Sequence, residues 1–195
     1  MTYAYAPTPA QQAEIDKYPI AYENPDYRMG QVRRDAVHTL LRESAGDPLN
    51  NLRDLLDVGT GRGETLDIAI MLGYMDPNGT EVVPALIHPP VTVFAHAWWL
   101  PFQSGLFHTV TCFDVIEHLL PDDAEPTVRE IERVAAKRIL LSIADYPSGF
   151  CGATLHVNVR TVADWTPDLI AWLPGWRVTL RRDVHMGSPV WEAVR

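Results

Sequence analysis

Basic charge is scarce in this chain of 195 residues: 16 Lys and Arg stand against 25 Asp and Glu, for a formal net charge of −9. A long nucleic-acid partner demands a field of cations to neutralise its phosphate backbone, so the balance argues against one and leaves room only for a local basic patch. Cysteine is nearly absent. Cys112 and Cys151 are the two present, without metal-ligand spacing, which fits reduced residues of a cytosolic protein. No apolar run reaches membrane-spanning length, and the first dozen residues carry Tyr, Pro and Gln where a secretory leader needs a basic start and an apolar stretch. The expectation is a cytoplasmic protein with no membrane insertion. Internal repeats and low-complexity tracts are also missing, which excludes a solenoid. What is present is ordinary globular material, 47% hydrophobic and 21% charged, enough for one domain with a substantial core.

Residues 1–29 are rich in Pro, Tyr and Ala without sustained periodicity, which predicts an extended N-terminal arm ahead of a single domain over 30–195. Val32, Ala36, Leu40 and Leu41 fall at helical spacing in a helix from Gly30 to about Ser44, stopped by Gly46, Asp47 and Pro48. Leu52 to Val58 reads as a strand buried on both faces, as a parallel sheet requires. Glu64 to Leu72 is a crossover helix closed by Gly73. A second strand runs over Tyr74 to Glu81, interrupted by Pro77 and Asn78, and Val83 to Ile87 forms a short turn or helix. Val91 to Ala95 and Phe107 to Phe113 are the third and fourth strands. A charged helix over Asp123 to Ala136 precedes an apolar strand, Arg138 to Ile143. Val162 to Leu173 gives a last helix, with Trp176 to Leu180 and Val190 to Val194 as a closing hairpin or edge pair. Strands alternating with helices imply a parallel sheet with helices on both faces.

The segment Leu55-Leu56-Asp57-Val58-Gly59-Thr60-Gly61-Arg62-Gly63-Glu64-Thr65 carries the strongest signal. An apolar strand runs into alternate glycines and then into helix-forming residues, the make-up of a loop over which a nucleotide cofactor can lie close to backbone. The spacing is Gly-x-Gly-x-Gly, not the Gly-x-Gly-x-x-Gly of nicotinamide dehydrogenases. With Asp57 two residues ahead of Gly59, it resembles motif I of the class I S-adenosylmethionine (SAM) dependent methyltransferases. From Leu55 to about Leu119 the chain is similar to their type-11 group. That resemblance implies a Rossmann-like class I methyltransferase fold, three-layer α/β/α, with a mostly parallel seven-stranded sheet and an antiparallel edge pair.

The resemblance also implies a cofactor site. Gly59, Thr60, Gly61 and Gly63 form the loop, and Asp57 contacts this region, although a strand-end carboxylate can equally cap the turn. Glu81, closing the second strand, takes the place of the acidic residue that accepts both ribose hydroxyls. Ala95-His96-Ala97-Trp98-Trp99-Leu100-Pro101-Phe102 is similar to the segment that cradles the adenine, with Ala97 and Trp98 as candidate contacts. Here His96 stands where the group has an Asp for the adenine amine. Arg33, after Tyr27-Arg28-Met29, is a candidate for the methionine carboxylate, the alternative being a surface arginine on an amphipathic helix.

Asp114-Val115-Ile116-Glu117-His118-Leu119 follows the fourth strand, where the transferred methyl should point. If Asp114 begins a helical turn, the spacing brings Asp114, Glu117 and His118 to one side. With His156 these make a candidate divalent-cation site, and Asp114 is also a candidate cofactor contact. The pattern resembles that of metal-dependent O-methyltransferases of small-RNA ends and of ubiquinone biosynthesis, which implies Mg2+ as a second cofactor. Without a metal, His118 or His156 is the candidate base, and packing is the alternative for either. Trp165, Trp172 and Trp176 line an acceptor pocket or pack between helices.

The fourth strand lacks the Asn/Asp-Pro-Pro-aromatic loop of exocyclic amino methyltransferases, so base methylation is disfavoured. The reading is a SAM-dependent methyltransferase acting on an oxygen or nitrogen of a small-molecule acceptor. Two alternatives stand beside it. One is a catalytically silent SAM-binding partner or regulatory protein, kept open by His96. The other is a metal-assisted O-methyltransferase of a nucleotide, sugar or RNA end.

Overall fold

Leu55 and Leu56 are neighbours in strand β1 (Leu55–Val58), yet they belong to separate buried apolar clusters on opposite faces of the sheet. Side chains alternate along a strand, so an apolar strand needs cover on both sides. One cover is built by helices α3 (Gln31–Ala45) and α4 (Glu64–Met71), which bury Val37, Leu40, Leu66 and Ala69 against Leu55 and Leu140. The other is built by α5 (Pro121–Val134) and α6 (Val162–Trp172), which bury Val128, Ile131, Trp165 and Leu169 against Leu56, Val110 and Ile139. The result is three layers. The computed structural model describes residues 6–45, 54–89, 91–150 and 152–195. The helix stop at Gly46 to Pro48, the start of the first strand at Leu52 and the thiol of Cys151 lie outside them. Cys112 is a free, buried cysteine.

The sheet has seven strands. Its order is β3 (Thr92–Phe94), β2 (Asn78–Glu81), β1, β4 (Phe107–Phe113), β5 (Ala135–Ser142), β9 (Val190–Val194), β8 (Arg177–Leu180). Neighbours from β3 to β5 are parallel, and β9 is antiparallel to both β5 and β8. This is the expected mostly parallel sheet with an antiparallel edge pair. The strand order reverses at β1, with β2 on one side and β4 on the other. Ligands of open α/β sheets bind beyond the carboxyl ends of strands at such a reversal, and there Gly59, Glu81 and Asp114 emerge.

Several boundaries differ from expectation for local reasons. β2 is confined to Asn78–Glu81 because Pro77 cannot donate to a ladder. α5 begins at Pro121, which suits a first helical position, and Asp122 and Asp123 in its first turn complement the helix dipole. The N-terminal arm is not extended. It folds into α1 (Pro9–Ile15) and α2 (Lys17–Glu23). The Thr8 hydroxyl accepts from the Gln11 amide and the Gln11 side chain accepts from the Thr8 amide, a reciprocal cap that starts α1. An unexpected antiparallel pair, β6 (Gly149–Phe150) and β7 (Ala153–Thr154), lies between β5 and α6. Among the described residues no helix is long and apolar enough to cross a membrane.

Candidate functional site

At the end of β1 the backbone turns through Gly59 at φ 74° and Gly61 at φ 55°, conformations that L side chains rarely adopt. Space is as restrictive as torsion. A Cβ on Gly59 would stand 2.5 Å from a Val115 methyl, and one on Gly61 would stand 2.6 Å from the Tyr22 hydroxyl. The loop is tied to β2 by the Gly59 and Thr60 amides, which both donate to the Thr80 carbonyl at 2.9 Å. Glu81 adds a charged tie. Its Oε2 accepts from the Gly61 amide at 2.8 Å, and Oε1 accepts from the Val82 and Val83 amides at 2.7 and 3.0 Å. Burial pushes its pKa up, against those amides. Oε2 keeps a lone pair for a further donor.

Asp57 sits beneath the loop and is 2% exposed. Its Oδ1 accepts from the Thr111 hydroxyl at 2.6 Å and its Oδ2 from the Thr60 hydroxyl at 2.9 Å. Burial pushes its pKa up to about 6, with these threonines and Thr65 opposing. The carboxylate therefore braces the turn, while its residue also borders the polar chamber described below.

Two chambers open beyond the strands. The first, about 110 Å3, is mainly apolar, floored by Val82, Ala97, Trp98 and Val115 and roofed by Ile15 and Tyr18 of the arm. His96 does not line it. Its ring stacks on Trp98 with centroids 4.9 Å apart and 7° between planes, its Nδ1 has no partner among the described residues, and burial lowers its pKa. His96 is thus a packing imidazole on the Trp98 indole, where the resemblance implied a contact to adenine.

The second chamber, about 360 Å3, is polar, and Arg28, Arg33, Tyr146, Ser148 and His156 border it. Arg33 reaches it from α3 and pairs with Asp114 at 2.6 Å. Asp114 is the one described non-glycine residue with positive φ, at 54°, and its Oδ1 accepts from the Ser142 hydroxyl at 3.0 Å. This corrects the expected helical turn. The turn that follows spans Ile116–His118 and leaves Asp114 outside it, with its carboxylate engaged by Arg33 and Ser142 and not among the converging ligand atoms.

Glu117, His118 and His156 do converge. One ligand atom from each lies within 4.8 Å of the others. The first two sit in a 3-10 turn over Ile116–His118, and the Val157 and Asn158 amides donate to the Glu117 carbonyl at 3.0 Å, which holds the His156 segment alongside. His118 Nδ1 is 3.1 Å from the Leu155 carbonyl and His156 Nδ1 is 2.7 Å from the Tyr146 carbonyl. A carbonyl only accepts, so each Nδ1 carries hydrogen, and in the neutral imidazole the lone pair is then on Nε2. Glu117 is fully buried, and neither oxygen makes a hydrogen bond of ordinary geometry, although the amides of Glu117 itself and Ala144 lie near enough to favour its charge. Burial first, then Asp114, push its pKa up to about 8. Burial holds the His118 pKa down to about 4. Two imidazoles and one carboxylate suit Zn2+, Fe2+ or Ni2+ better than Mg2+, which prefers oxygen ligands. The expected Mg2+ therefore does not match the donor set.

Trp165 and Trp176 are core residues and Trp172 packs against them, so none of the three borders either chamber. Sequence reasoning missed the aromatic roof of Tyr18 and Tyr22. The i, i+4 spacing of these tyrosines was its one available signal. It also missed Arg62, whose guanidinium crosses from the glycine loop to the arm.

No protein-family model and no curated protein matches the chain. Solved structures do. The 1,6-didemethyltoxoflavin-N1-methyltransferase of Burkholderia thailandensis, holding its substrate and S-adenosylhomocysteine (SAH), is similar at a TM-score of 0.66 and 16% identity, over 98% of this chain and 92% of that one. Magnesium protoporphyrin IX methyltransferase of Synechocystis PCC 6803 with bound SAH follows at 0.64 and 17%, over 95% of each chain. The [4+2]-cyclase SpnF is similar at 0.62 and 14%, over 89% of this chain and 74% of that one. At such identities the likeness establishes the class I methyltransferase fold. A cyclase among the neighbours illustrates that the fold alone does not fix the reaction.

Proposed function

We propose that this chain is a SAM-dependent methyltransferase that acts on an oxygen or nitrogen of a small-molecule acceptor. The observation that carries the reading is the union of Glu81 with the glycine loop at an apolar chamber that adjoins a polar chamber holding two imidazoles. Neighbours crystallised with SAH support SAM as the donor. Its sulfonium supplies an already activated methyl group, so no covalent nucleophile is required.

The reading gives each residue a role. Glu81 accepts from ribose hydroxyls, Ala97 and Trp98 take the adenine against backbone and indole, and Gly59, Thr60, Gly61 and Gly63 leave the backbone open to close approach, with Asp57 bracing them. Arg33, held by Asp114 at the chamber wall, is placed for a carboxylate. In the polar chamber the Nε2 of His118 or His156 takes the proton released by an oxygen or nitrogen acceptor as it gains the methyl. Tyr18, Tyr22 and Tyr27 of the arm line the apolar chamber. A cytoplasmic location belongs to the same reading, resting on the sparse cysteines.

A second reading is favoured by the unpartnered Glu117 carboxylate between two free Nε2 atoms. Glu117, His118 and His156 would hold a divalent cation of the imidazole-binding kind, which would fix and acidify an acceptor hydroxyl of a nucleotide, sugar or RNA end. The test is transfer of labelled methyl from SAM into pools of phenols, amines, sugars and nucleotides, with chelated and cation-replete protein. Label in a small-molecule product supports the proposal. Saturable SAM binding with no product from any pool supports the catalytically silent SAM-binding protein.

A further inference from the structure

We infer that Tyr27, braced by Tyr22 and pinned by Arg62, recognises the positive charge of the sulfonium; this rests on the cofactor reading above. Among the described residues of the arm only Tyr22 and Tyr27 line both chambers, sharing the dividing wall with Gly59, Asp114 and His118. A ligand with an apolar base in one chamber and an amino-acid end in the other crosses that wall at its centre. In SAM the centre is a cationic sulfur. Aromatic faces attract cations, more strongly where water is excluded.

The two rings are fixed in place. Tyr22 and Tyr27 meet edge to face, with centroids 5.0 Å apart and planes at 84°, and Tyr27 leans on Phe150 of β6 at 5.2 Å. Arg62 lies 5.5 Å above the Tyr22 ring, which leaves Tyr27 as the ring available to a ligand cation. The Arg62 guanidinium donates to the carbonyls of Tyr22 at 2.8 Å and of Asn24 and Tyr27 at 3.3 Å. The stretch carrying both rings is thereby fastened to the loop that receives the cofactor. Charge agrees with this assignment. Around Tyr27 stand Glu117, Glu81 and Asp114, opposed by Arg33, and with burial as the main cause they push its pKa up to about 12. Burial disfavours either charge here, whereas the carboxylates of Glu81 and Asp114 disfavour a phenolate and favour a cation.

The test compares SAM with SAH, which lacks the methyl and the charge, by calorimetric titration into wild type, Tyr27→Leu, Tyr27→Phe and Arg62→Ala. Tyr27→Leu should weaken SAM about tenfold and SAH less than about twofold. Retained SAH binding shows that the variant is folded. Tyr27→Phe keeps the ring face and should keep the wild-type ratio of the two affinities. Arg62→Ala, a positioning variant, should move the ratio in the same direction as Tyr27→Leu. An unchanged ratio in Tyr27→Leu, or a Tyr27→Phe variant that behaves like it, overturns the assignment. Folded wild type that binds neither ligand overturns instead the cofactor reading beneath it.

Discussion

The Glu81 carboxylate and the Gly61 amide are joined by a 2.8 Å hydrogen bond, so the end of β2 is fastened directly to the glycine loop after β1. One side chain thus shapes the loop and offers an acceptor to whatever lies upon it.

Glu81→Ala removes both roles. A hydrogen bond to a charged group is worth about 1.5–3 kcal/mol, so loss of the one further bond that Oε2 can accept should lower SAM affinity about ten- to a hundredfold. Glu81→Gln keeps an acceptor oxygen and should fall between. Calorimetry reads both, and an unchanged affinity in Glu81→Ala removes this residue from the site.

Asp57 makes stability depend on pH. Its folded pKa of about 6 is raised above the ordinary 3.8, so the native state holds this proton more tightly than the unfolded chain does. The contribution to stability is greatest below 3.8, declines as pH rises to about 6, and is level above. Asp57→Asn keeps an acceptor for one threonine and has no carboxylate to ionise. Relative to wild type it should gain up to about 3 kcal/mol on going from pH 4 to pH 7, measured by urea unfolding without cofactor. A constant difference across that range contradicts the assigned burial.

The Glu117, His118 and His156 cluster predicts a choice among cations. Zn2+ or Ni2+ should raise the melting temperature of chelator-treated protein, by mass action on the folded state, and Mg2+ at the same concentration should not. The rise should vanish in Glu117→Ala. Equal responses to all cations in wild type and variant would dismiss the site.

Replacing the imidazoles separates binding from chemistry. His118→Ala and His156→Ala should retain SAM affinity within about threefold while kcat falls, in at least one of them, by about a hundredfold, the scale of general base catalysis. A fall in affinity with kcat preserved would make these residues cofactor contacts.

Much of the scaffold was legible because periodicity and turn chemistry agree locally. Phe107–Phe113 forms β4 with the expected bounds, and the strand expected over Leu52 to Val58 is formed from Leu55, with apolar residues that do face two covers. The arm was not legible as helix because α1 and α2 are short and carry no apolar stripe. Their signal is the Thr8 and Gln11 cap, and their place depends on contacts distant in sequence, such as Lys17 with the Thr154 carbonyl at 3.0 Å. Asp114 misled for another reason. Spacing groups it with Glu117 and His118 only if the backbone is right-handed there, and φ at a non-glycine residue cannot be read from the neighbouring letters. His96 shows the same limit: its replacement of an Asp was visible, but its withdrawal onto Trp98 is a packing outcome.

The most direct measurement is calorimetric titration of SAM and SAH into folded wild type and Gly61→Arg. At Gly61, φ is 55° and an added Cβ would meet the Tyr22 hydroxyl at 2.6 Å, so any side chain must displace the roof and fill the loop. Saturable binding of both ligands to wild type, absent from a Gly61→Arg protein with an unchanged circular dichroism spectrum, is the predicted result. Folded wild type that binds neither, or Gly61→Arg that binds both as wild type does, would contradict a cofactor site at this loop.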